Sequence, residues 1–341
     1  MDLTTRYLGL TLRNPLVASA SPLSQTVPGI RALADAGVGA VVLYSLFEEQ
    51  VRRQEVEDYL LLDEHEDAFG EAQSYLPSDS VGAAADGAAP YLRHLAKATA
   101  AVDIPVIASL NGASVGGWVG IARSMESAGA AAIEINPYAV PGDLATPGSA
   151  VEKRHLEIVS LVKESVSIPV AVKLSPFFSS TGAMVRALDT AGVDGFVLFN
   201  RFLQPDIDIE TLQVHPAVTL STPIEAGIAR TWIAILHGQV RASLAATTGV
   251  ESAQDVIKYL LAGADVVMTA SALLRHGPEY AADLLGGLES WLARKGFDSL
   301  DRVRGALAVA PGVDAAAYER AGYVSALQRA KETYGDLRIS D

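Results

Sequence analysis

Cysteine is absent from this chain of 341 residues, and its absence excludes several kinds of chemistry. There can be no disulfide, no thiolate ligand for a metal and no cysteine nucleophile. The six histidines are scattered, and none has the spacing of a metal-binding pair. The acidic run at 63–67 offers carboxylates to a cation, but a solvated loop is the simpler interpretation. We therefore expect no metal site.

Basic residues are also in short supply. Lys and Arg total 26 against 40 Asp and Glu, so the formal net charge is −14. A negative surface repels phosphate backbones and anionic lipids, which disfavours nucleic acid and membrane partners. The N-terminus has no basic start followed by an apolar stretch, and no apolar run is long enough to cross a bilayer. We expect a cytoplasmic protein. Hydrophobic residues make up 50% of the chain, which is enough for a large core.

Several common motifs are missing as well, among them the P-loop, HExxH, the EF-hand loop and G-x-S-x-G. The chain contains instead short runs rich in Val, Ile and Ala that end in polar residues. Runs that are apolar throughout are typical of parallel strands, which are buried on both faces. We predict strands near 14–20, 40–45, 105–111, 131–136, 169–174, 195–200, 242–247 and 265–270.

Helical patterns alternate with these predicted strands. They lie at 27–36, 116–128, 150–166, 181–191, 252–262 and 278–294. Such alternation predicts either a closed barrel or a large open parallel sheet. No dinucleotide-binding GxGxxG follows the first strand, which favours the closed form. The predicted fold class is α/β, a (β/α)8 TIM barrel over residues 1–310.

Two connections in the predicted barrel are long, 46–88 after strand 2 and 201–241 after strand 6. Long structured insertions after barrel strands usually serve the active-site face. The second is interpreted as a β excursion because apolar residues such as Ile207 and Ile209 alternate with polar ones. The tail at 311–341 resumes a helical period, and we expect a helical extension packed on the barrel.

Polar side chains gather at the ends of the predicted strands, where a barrel carries its functional groups. A single polar strand end is ordinary solvation of a loop, but polar residues on most strands predict a site. These residues are Ser19 and Ser21, Tyr44 and Ser45, Asn111, Glu134 and Asn136, Lys173, Asn200 and Arg201, Thr247 to Gly249, and Thr269 to Ser271.

Lys173 is the most informative member of this set because it lies inside the otherwise apolar run PVAVKLSP. A lysine is costly to bury without a partner. Its head either reaches solvent at the barrel mouth, forms a Schiff base with a carbonyl substrate, or holds an anionic cofactor. A flavin is such a cofactor, since its reduced form carries negative charge.

The turns after predicted strands 7 and 8 are built from small residues. They read ATTGVESAQD at 246–255 and MTASALL at 268–274. Small residues let backbone N–H groups approach a phosphate closely, and helix N-termini that follow add a favourable dipole. Because the last two β/α turns are the usual phosphate site of this fold, they predict a phosphate-bearing ligand.

With these residues in place, the chain resembles the soluble branch of the dihydroorotate dehydrogenase family over residues 1–310. The resemblance is carried, in order, by NPLVASA, PVAVKLSP, TTGVESAQD, LLAGADVVMTASAL and GFDSLDRVRG. It implies FMN across the barrel mouth, with the phosphate at the last two β/α turns. The cofactor-binding positions that it implies, together with the strand-end Ser45, are Ala18, Ser19, Asn111, Lys173, Asn200, Thr248, Gly249, Ala270 and Ser271, where Thr248 replaces a usual glycine.

The substrate half of the family pattern departs from expectation. Tyr44 stands where soluble members carry a lysine, and Pro137, which cannot take a proton, stands at the position of the catalytic base. Glu134 replaces an asparagine that holds orotate. The family stretch N-S-M-G-L-P-N is replaced at 72–78 by AQSYLPS. These departures predict an FMN-dependent oxidoreductase that acts on a C–C or C=C bond of a small molecule other than dihydroorotate.

The predicted catalytic residues are therefore Tyr138, Tyr44 and Lys173, and the predicted substrate-binding residues are Glu134, Asn136 and Arg201. A tyrosine can donate a proton as it stands, which favours a reductase role for Tyr138. Three alternatives stay open: a genuine dihydroorotate dehydrogenase of pyrimidine biosynthesis, a Schiff-base lyase that uses Lys173, and a flavin-binding protein without turnover. By analogy with soluble relatives we expect a homodimer, for which 201–241 is a candidate interface.

Overall fold

A computed structural model describes residues 1–51, 87–112, 118–138, 141–201, 205–215, 219–310 and 312–334. Within these ranges the strands are β1 (Thr5–Tyr7), β2 (Leu10–Leu12), β3 (Leu16–Ala18), β4 (Ala40–Val42), β5 (Leu46–Phe47), β6 (Val106–Gly112), β7 (Ala132–Pro137), β8 (Val170–Leu174), β9 (Gly195–Leu198), β10 (Asp206–Asp208), β11 (Gln213–His215), β12 (Ser243–Ala246) and β13 (Val266–Thr269).

The helices of the described ranges alternate with the long-sheet strands. They are α1 (Val27–Asp35), α2 (Ala89–Thr99), α3 (Trp118–Ser127), α4 (Gly148–Ser165), α5 (Thr181–Thr190), α6 (Ala226–Leu236), α7 (Ala253–Ala262), α8 (Ser271–His276), α9 (Tyr280–Lys295) and α10 (Ala315–Tyr334). Every helix predicted from the sequence is present, with ends that shift by one or two residues.

A closed ring of eight parallel strands forms the centre of the molecule. The strand order is β3, β4, β6, β7, β8, β9, β12 and β13, and β13 returns to pair with β3. The prediction of a (β/α)8 barrel is therefore confirmed. Strand β5 extends the β4 side of the ring and pairs with the far end of β6. The eight strands of the ring are parallel, so that their carboxyl ends share one face and the polar strand ends meet there.

Two apolar layers hold the barrel together, as the alternation of side chains along each strand requires. One layer fills the barrel interior and contains, for example, Val17, Ile107 and Val197. The other lies between the strands and the surrounding helices. The antiparallel hairpin of β1 and β2 closes the amino-terminal end of the barrel, with Tyr7 and Leu8 packed into the inner layer.

The connection at 201–241 is only partly the predicted β excursion. Strands β10 and β11 form an antiparallel ribbon, as expected, with Ile207 opposite Val214. The segment Ala226–Leu236, however, is helix α6. Its buried residues Ala226, Ala229, Ile233 and Leu236 recur with helical spacing, a period that the alternation around Ile207 obscured. The β interpretation is thus wrong for the second part of this connection.

Parts of two other predictions are not decided by the structure. Most of the connection after strand 2 falls outside the described residues, and so do the acidic run at 63–67 and the stretch at 72–78. The tail forms helix α10, on which Tyr318, Tyr323 and Leu327 are exposed, and its packing on the barrel stays a prediction. No helix in the described parts of the chain has the length and apolarity that a membrane span requires.

Candidate active site at the barrel mouth

A pocket opens at the carboxyl ends of the barrel strands, where the sequence predicts a site. The residues that line it are Ser19, Ala20, Lys173, Phe199, Asn200, Arg201, Ser221, Thr247, Thr248, Val250, Met268, Thr269, Ala270 and Ser271. Seven of the predicted site residues are in this set: Ser19, Lys173, Asn200, Arg201, Thr248, Ala270 and Ser271. The closure of the barrel brings them together from strands that are far apart in sequence.

The turn after β12 has an uncommon backbone conformation. Thr248 has φ +80° and Gly249 has φ +71°, so two successive residues are left-handed. A Cβ on Gly249 would lie 2.7 Å from the Thr222 carbonyl oxygen and 2.9 Å from the Ala226 nitrogen, which leaves room for glycine alone. This left-handed backbone conformation is unfavourable for Thr248, because the residue carries a branched side chain. Its hydroxyl donates a hydrogen bond to the Phe199 carbonyl oxygen at 3.0 Å, which offsets part of that cost.

Ser221 joins this turn to the one after β13, and the sequence did not point to it. Its hydroxyl oxygen accepts a hydrogen bond from the Gly249 N–H at 3.1 Å and lies 2.9 Å from the Ser271 hydroxyl. The Ser221 N–H donates to the same Ser271 oxygen at 3.0 Å. Ser221 precedes helix α6 inside the connection interpreted as a β excursion, so no local pattern marked it. Two hydroxyl groups and two backbone N–H groups are therefore joined in one hydrogen-bond cluster at the position predicted to hold a phosphate.

Helix α7 begins directly behind this turn and is firmly capped. Ser252 and Asp255 form a reciprocal capping box, in which the Asp255 carboxylate accepts from the Ser252 N–H at 3.0 Å. These hydrogen bonds, together with that from the Glu251 N–H, hold the pKa of Asp255 low although burial raises it. The positive end of the α7 dipole consequently faces the Thr248–Gly249 turn.

Lys173 and Glu134 form a buried ion pair in the barrel interior. The Lys173 Nζ lies 3.4 Å from Glu134 Oε1, and the two side chains are 12% and 1% exposed. Glu134 Oε2 has no hydrogen-bond partner among the described residues. The structure thus places Glu134, predicted as a substrate contact, beside Lys173, which was predicted to hold the cofactor. A Schiff-base lysine must present a neutral amine, which a neighbouring carboxylate disfavours.

Three predicted asparagines meet on one side of the mouth. The Asn200 amide nitrogen donates to the Asn136 side-chain oxygen at 3.0 Å. Asn111 on β6 is the register partner of Asn136 on β7, so both lie at the same level of the barrel. This cluster offers amide donors and acceptors to a ring with alternating carbonyl and N–H groups.

Tyr44, by contrast, does not line the pocket. Its ring packs against Tyr91 and His94 on helix α2, with centroids 5.1 and 5.7 Å apart. Burial raises the pKa of Tyr44, which disfavours it as a base. Two predicted cofactor residues also point elsewhere. Ala18 is buried in the layer beneath the helices, and the Ser45 hydroxyl lies 2.8 Å from that of Ser109.

Tyr138 follows the last residue of β7 at the rim of the mouth. Its N–H donates to the Gly112 carbonyl oxygen at 3.1 Å, which extends the pairing of β6 with β7, and its side chain is half-buried. Near this rim lies His155, 5% exposed, with Nδ1 2.8 Å from the Val151 carbonyl oxygen. Burial lowers the pKa of His155, against smaller opposing effects of the Val151 and Pro137 backbone. Sequence reasoning gave His155 no role because the six histidines are scattered and lack metal-ligand spacing.

Arg201, predicted to bind substrate, is held by neighbouring groups. Its guanidinium pairs with Glu225 at 2.8 Å and also donates to the Thr219 carbonyl oxygen. A second, more apolar groove adjoins the pocket here, lined in part by Phe177, Phe199 and Ile228. Among the described residues, no three His, Asp or Glu side chains form a metal-binding group.

The structure is thus a closed (β/α)8 barrel whose polar pocket lies at the carboxyl ends of the strands, beside a left-handed turn and a largely buried lysine, an arrangement typical of barrel enzymes. The sequence profile of the dihydroorotate dehydrogenase family matches residues 65–292. The chain belongs to this family and is a dihydroorotate dehydrogenase-like oxidoreductase.

Two relatives illustrate the similarity. One is a protein of Aeropyrum pernix named putative dihydroorotate dehydrogenase A (fumarate), 32% identical over 236 residues, which covers 67% of this chain and 75% of the relative. The other is the catalytic subunit of dihydroorotate dehydrogenase B (NAD(+)) from Methanothermobacter thermautotrophicus, 30% identical over 211 residues, with 60% and 69% covered. The resemblance noted from the sequence motifs is therefore confirmed.

Proposed function

We propose that the chain is an FMN-dependent oxidoreductase that acts on the CH–CH bond of a small molecule. The observation that carries the proposal is one pocket lined both by Thr248, which begins the left-handed turn, and by the largely buried Lys173. A flavin mononucleotide suits both features, since its phosphate is anionic and its ring system, at the other end, carries negative charge when it is reduced.

The residues present fit FMN at each end. The Gly249 turn, Ser221 and Ser271 would hold the phosphate, because they supply converging N–H and O–H groups where no Cβ fits. Lys173 and Asn200 would hold the polar edge of the ring system. When bound, FMN supplies hydride transfer to or from a carbon of the substrate. The chain itself orients the two molecules and excludes water.

Dihydroorotate is the first candidate substrate. Its support is that relatives covered over two thirds of their length carry dihydroorotate dehydrogenase in their names. The Asn111, Asn136 and Asn200 cluster suits a cyclic ureide with alternating donors and acceptors. The prediction that dihydroorotate is not the substrate has no support from these relatives.

A second candidate is another small molecule with an oxidisable or reducible C–C bond. It is favoured by the position of Pro137 at the end of β7 and by the pairing of Glu134 with Lys173. Pro137 has no proton to exchange, so Tyr138 would serve as the acid at the rim. Small-molecule substrates, a cytoplasmic location and a homodimer stay predictions, as do the individual residue roles.

Two measurements test these proposals separately. Purified full-length chain is first titrated with FMN, and saturable binding with quenched flavin fluorescence is the expected result. A chain that takes up no FMN contradicts the proposed function. The loaded chain is then mixed anaerobically with dihydroorotate. Bleaching of the flavin absorbance supports the first substrate, whereas an unchanged spectrum together with failure to rescue a pyrimidine auxotroph supports the second.

A further inference from the structure

The pocket combines its cations with carboxylates in an unusual way. Lys173 and Arg201 are the two cationic side chains among the described residues that line it. Arg201 is paired with Glu225, and Lys173 is paired with Glu134. The positive charges of Lys173 and Arg201 are therefore each balanced by a carboxylate. The pocket is electrically close to neutral although a lysine forms part of its wall.

The Lys173–Glu134 pair is not built like a structural ion pair. Buried pairs contribute to stability only when the geometry is good and the remaining polar atoms have partners. Here one contact of 3.4 Å joins the two groups, and Glu134 Oε2 has no hydrogen-bond partner among the described residues. Apolar residues such as Ile133 and Ile135 flank Glu134 along β7. Stability alone gives no reason to place a carboxylate there.

The field of Glu134 reaches other groups of the barrel interior as well. Tyr7, in the hairpin that closes the far end, is fully buried and its hydroxyl has no partner in the described parts of the chain. Burial raises the pKa of Tyr7, and the negative charges of Glu134 and Asp265 raise it further. In the low-dielectric interior of a protein, two charged groups interact more strongly than they do in water.

We infer that Glu134 is a positioning residue that lowers the reduction potential of the bound flavin by offsetting the charge of Lys173. This inference rests on the proposed function, because it requires FMN in the pocket. A lone ammonium beside the flavin ring stabilises the negative charge of the reduced form. A carboxylate paired with that ammonium weakens this stabilisation, so that the reduced flavin gives up its electrons more readily.

The test uses full-length chain loaded with FMN and measures the flavin midpoint potential by equilibration with a reference dye. The variants are Glu134→Gln and Lys173→Met. The control is Glu157→Gln, which removes the same charge from the exposed face of helix α4. Glu134→Gln is expected to favour binding of reduced over oxidised FMN by at least about tenfold, or roughly +30 mV for a two-electron couple. Lys173→Met is expected to shift the potential downward, and Glu157→Gln to leave it unchanged.

The possible results distinguish FMN binding by the chain from the effect of Glu134 on the flavin potential. Wild-type chain that binds no FMN overturns the proposed function and, with it, this inference. FMN-loaded Glu134→Gln whose potential is unchanged or lower overturns the inference and leaves the proposed function intact. If Glu134→Gln does not fold, Glu134→Asn removes the same charge with a shorter amide, and the same shift is expected. A merely structural role for Glu134 changes the melting temperature but not the potential.

Discussion

Replacing Gly249 with alanine perturbs two backbone features of the phosphate turn at once. The residue has φ +71°, and a left-handed conformation costs an alanine about 1–2 kcal/mol. The new Cβ would also lie 2.7 Å from the Thr222 carbonyl oxygen and 2.9 Å from the Ala226 nitrogen. Both neighbours are backbone atoms and cannot rotate away. Relieving such overpacking typically costs a further 1–3 kcal/mol or so.

Gly238 offers a matched control for this substitution. It has φ +73°, nearly the same backbone conformation, but a Cβ there meets no atom within 4 Å. Gly238→Ala therefore bears the conformational cost alone, the same cost of about 1–2 kcal/mol. The difference between the two variants isolates the close approach of the turn to helix α6.

Urea denaturation and FMN titration measure the two consequences. We expect Gly249→Ala to lower the free energy of unfolding by roughly 2–5 kcal/mol in total and to weaken FMN binding at least about tenfold. Gly238→Ala is expected to bind FMN as the wild type does. Equal losses of stability in both variants, with equal FMN affinity, would refute the assignment of this turn to the phosphate.

Three further predictions concern residues around the same site. Thr248→Gly relieves the left-handed strain and Thr248→Ala keeps it, while both variants lose the hydrogen bond to Phe199. The glycine variant is therefore expected to be more stable in urea than the alanine variant by about 1 kcal/mol. The opposite order would contradict the presence of strain at Thr248. Burial lowers the pKa of His155 in the folded state, below the unfolded value of about 6.5. The stability that neutral His155 contributes is therefore present above pH of about 6.5, and it is lost as the pH falls from there toward the lower folded-state pKa. We expect the wild type to lose more stability than His155→Asn between about pH 7.5 and 5.5 in thermal melts, and parallel curves would show that another group is responsible. Asp255→Ala removes the capping box with Ser252 and is expected to cost about 1–2 kcal/mol in urea, whereas a change within error would show that the cap contributes nothing.

The barrel was predictable because its signal is local and repeated. Each buried parallel strand must be apolar on both faces, so short runs such as those at 105–111 and 265–270 stand out without any neighbour. Helix periods are equally local. The exception, Ala226–Leu236, shows the limit: a strong alternating pattern nearby led to a β interpretation of a segment whose own buried residues have helical spacing.

The gathering of polar residues at the barrel mouth followed from the same rule, since the strand ends of a barrel share one face. Sequence position thus sufficed to predict that Ser19, Lys173 and Ser271 line one pocket, whereas their roles stay predictions. It failed for Ser221, whose hydrogen bonds reach Gly249 and Ser271 across 28 and 50 residues. Sequence position also did not show that the Tyr44 ring packs against Tyr91 and His94, because a residue at a strand end faces either the pocket or the helices, and its neighbours decide which.

The amino-acid sequence by itself therefore determined the eight barrel strands, most of the helices, the face on which the strands end and the family resemblance. All of these depend on periodicity and on short motifs. Only the tertiary structure decided what the charged groups do. Glu134 and Lys173 lie 3.4 Å apart because β7 and β8 are adjacent and both side chains point inward, and the sequence cannot show that distance. Electrostatic effects depend on separation and burial, which arise only when the barrel closes.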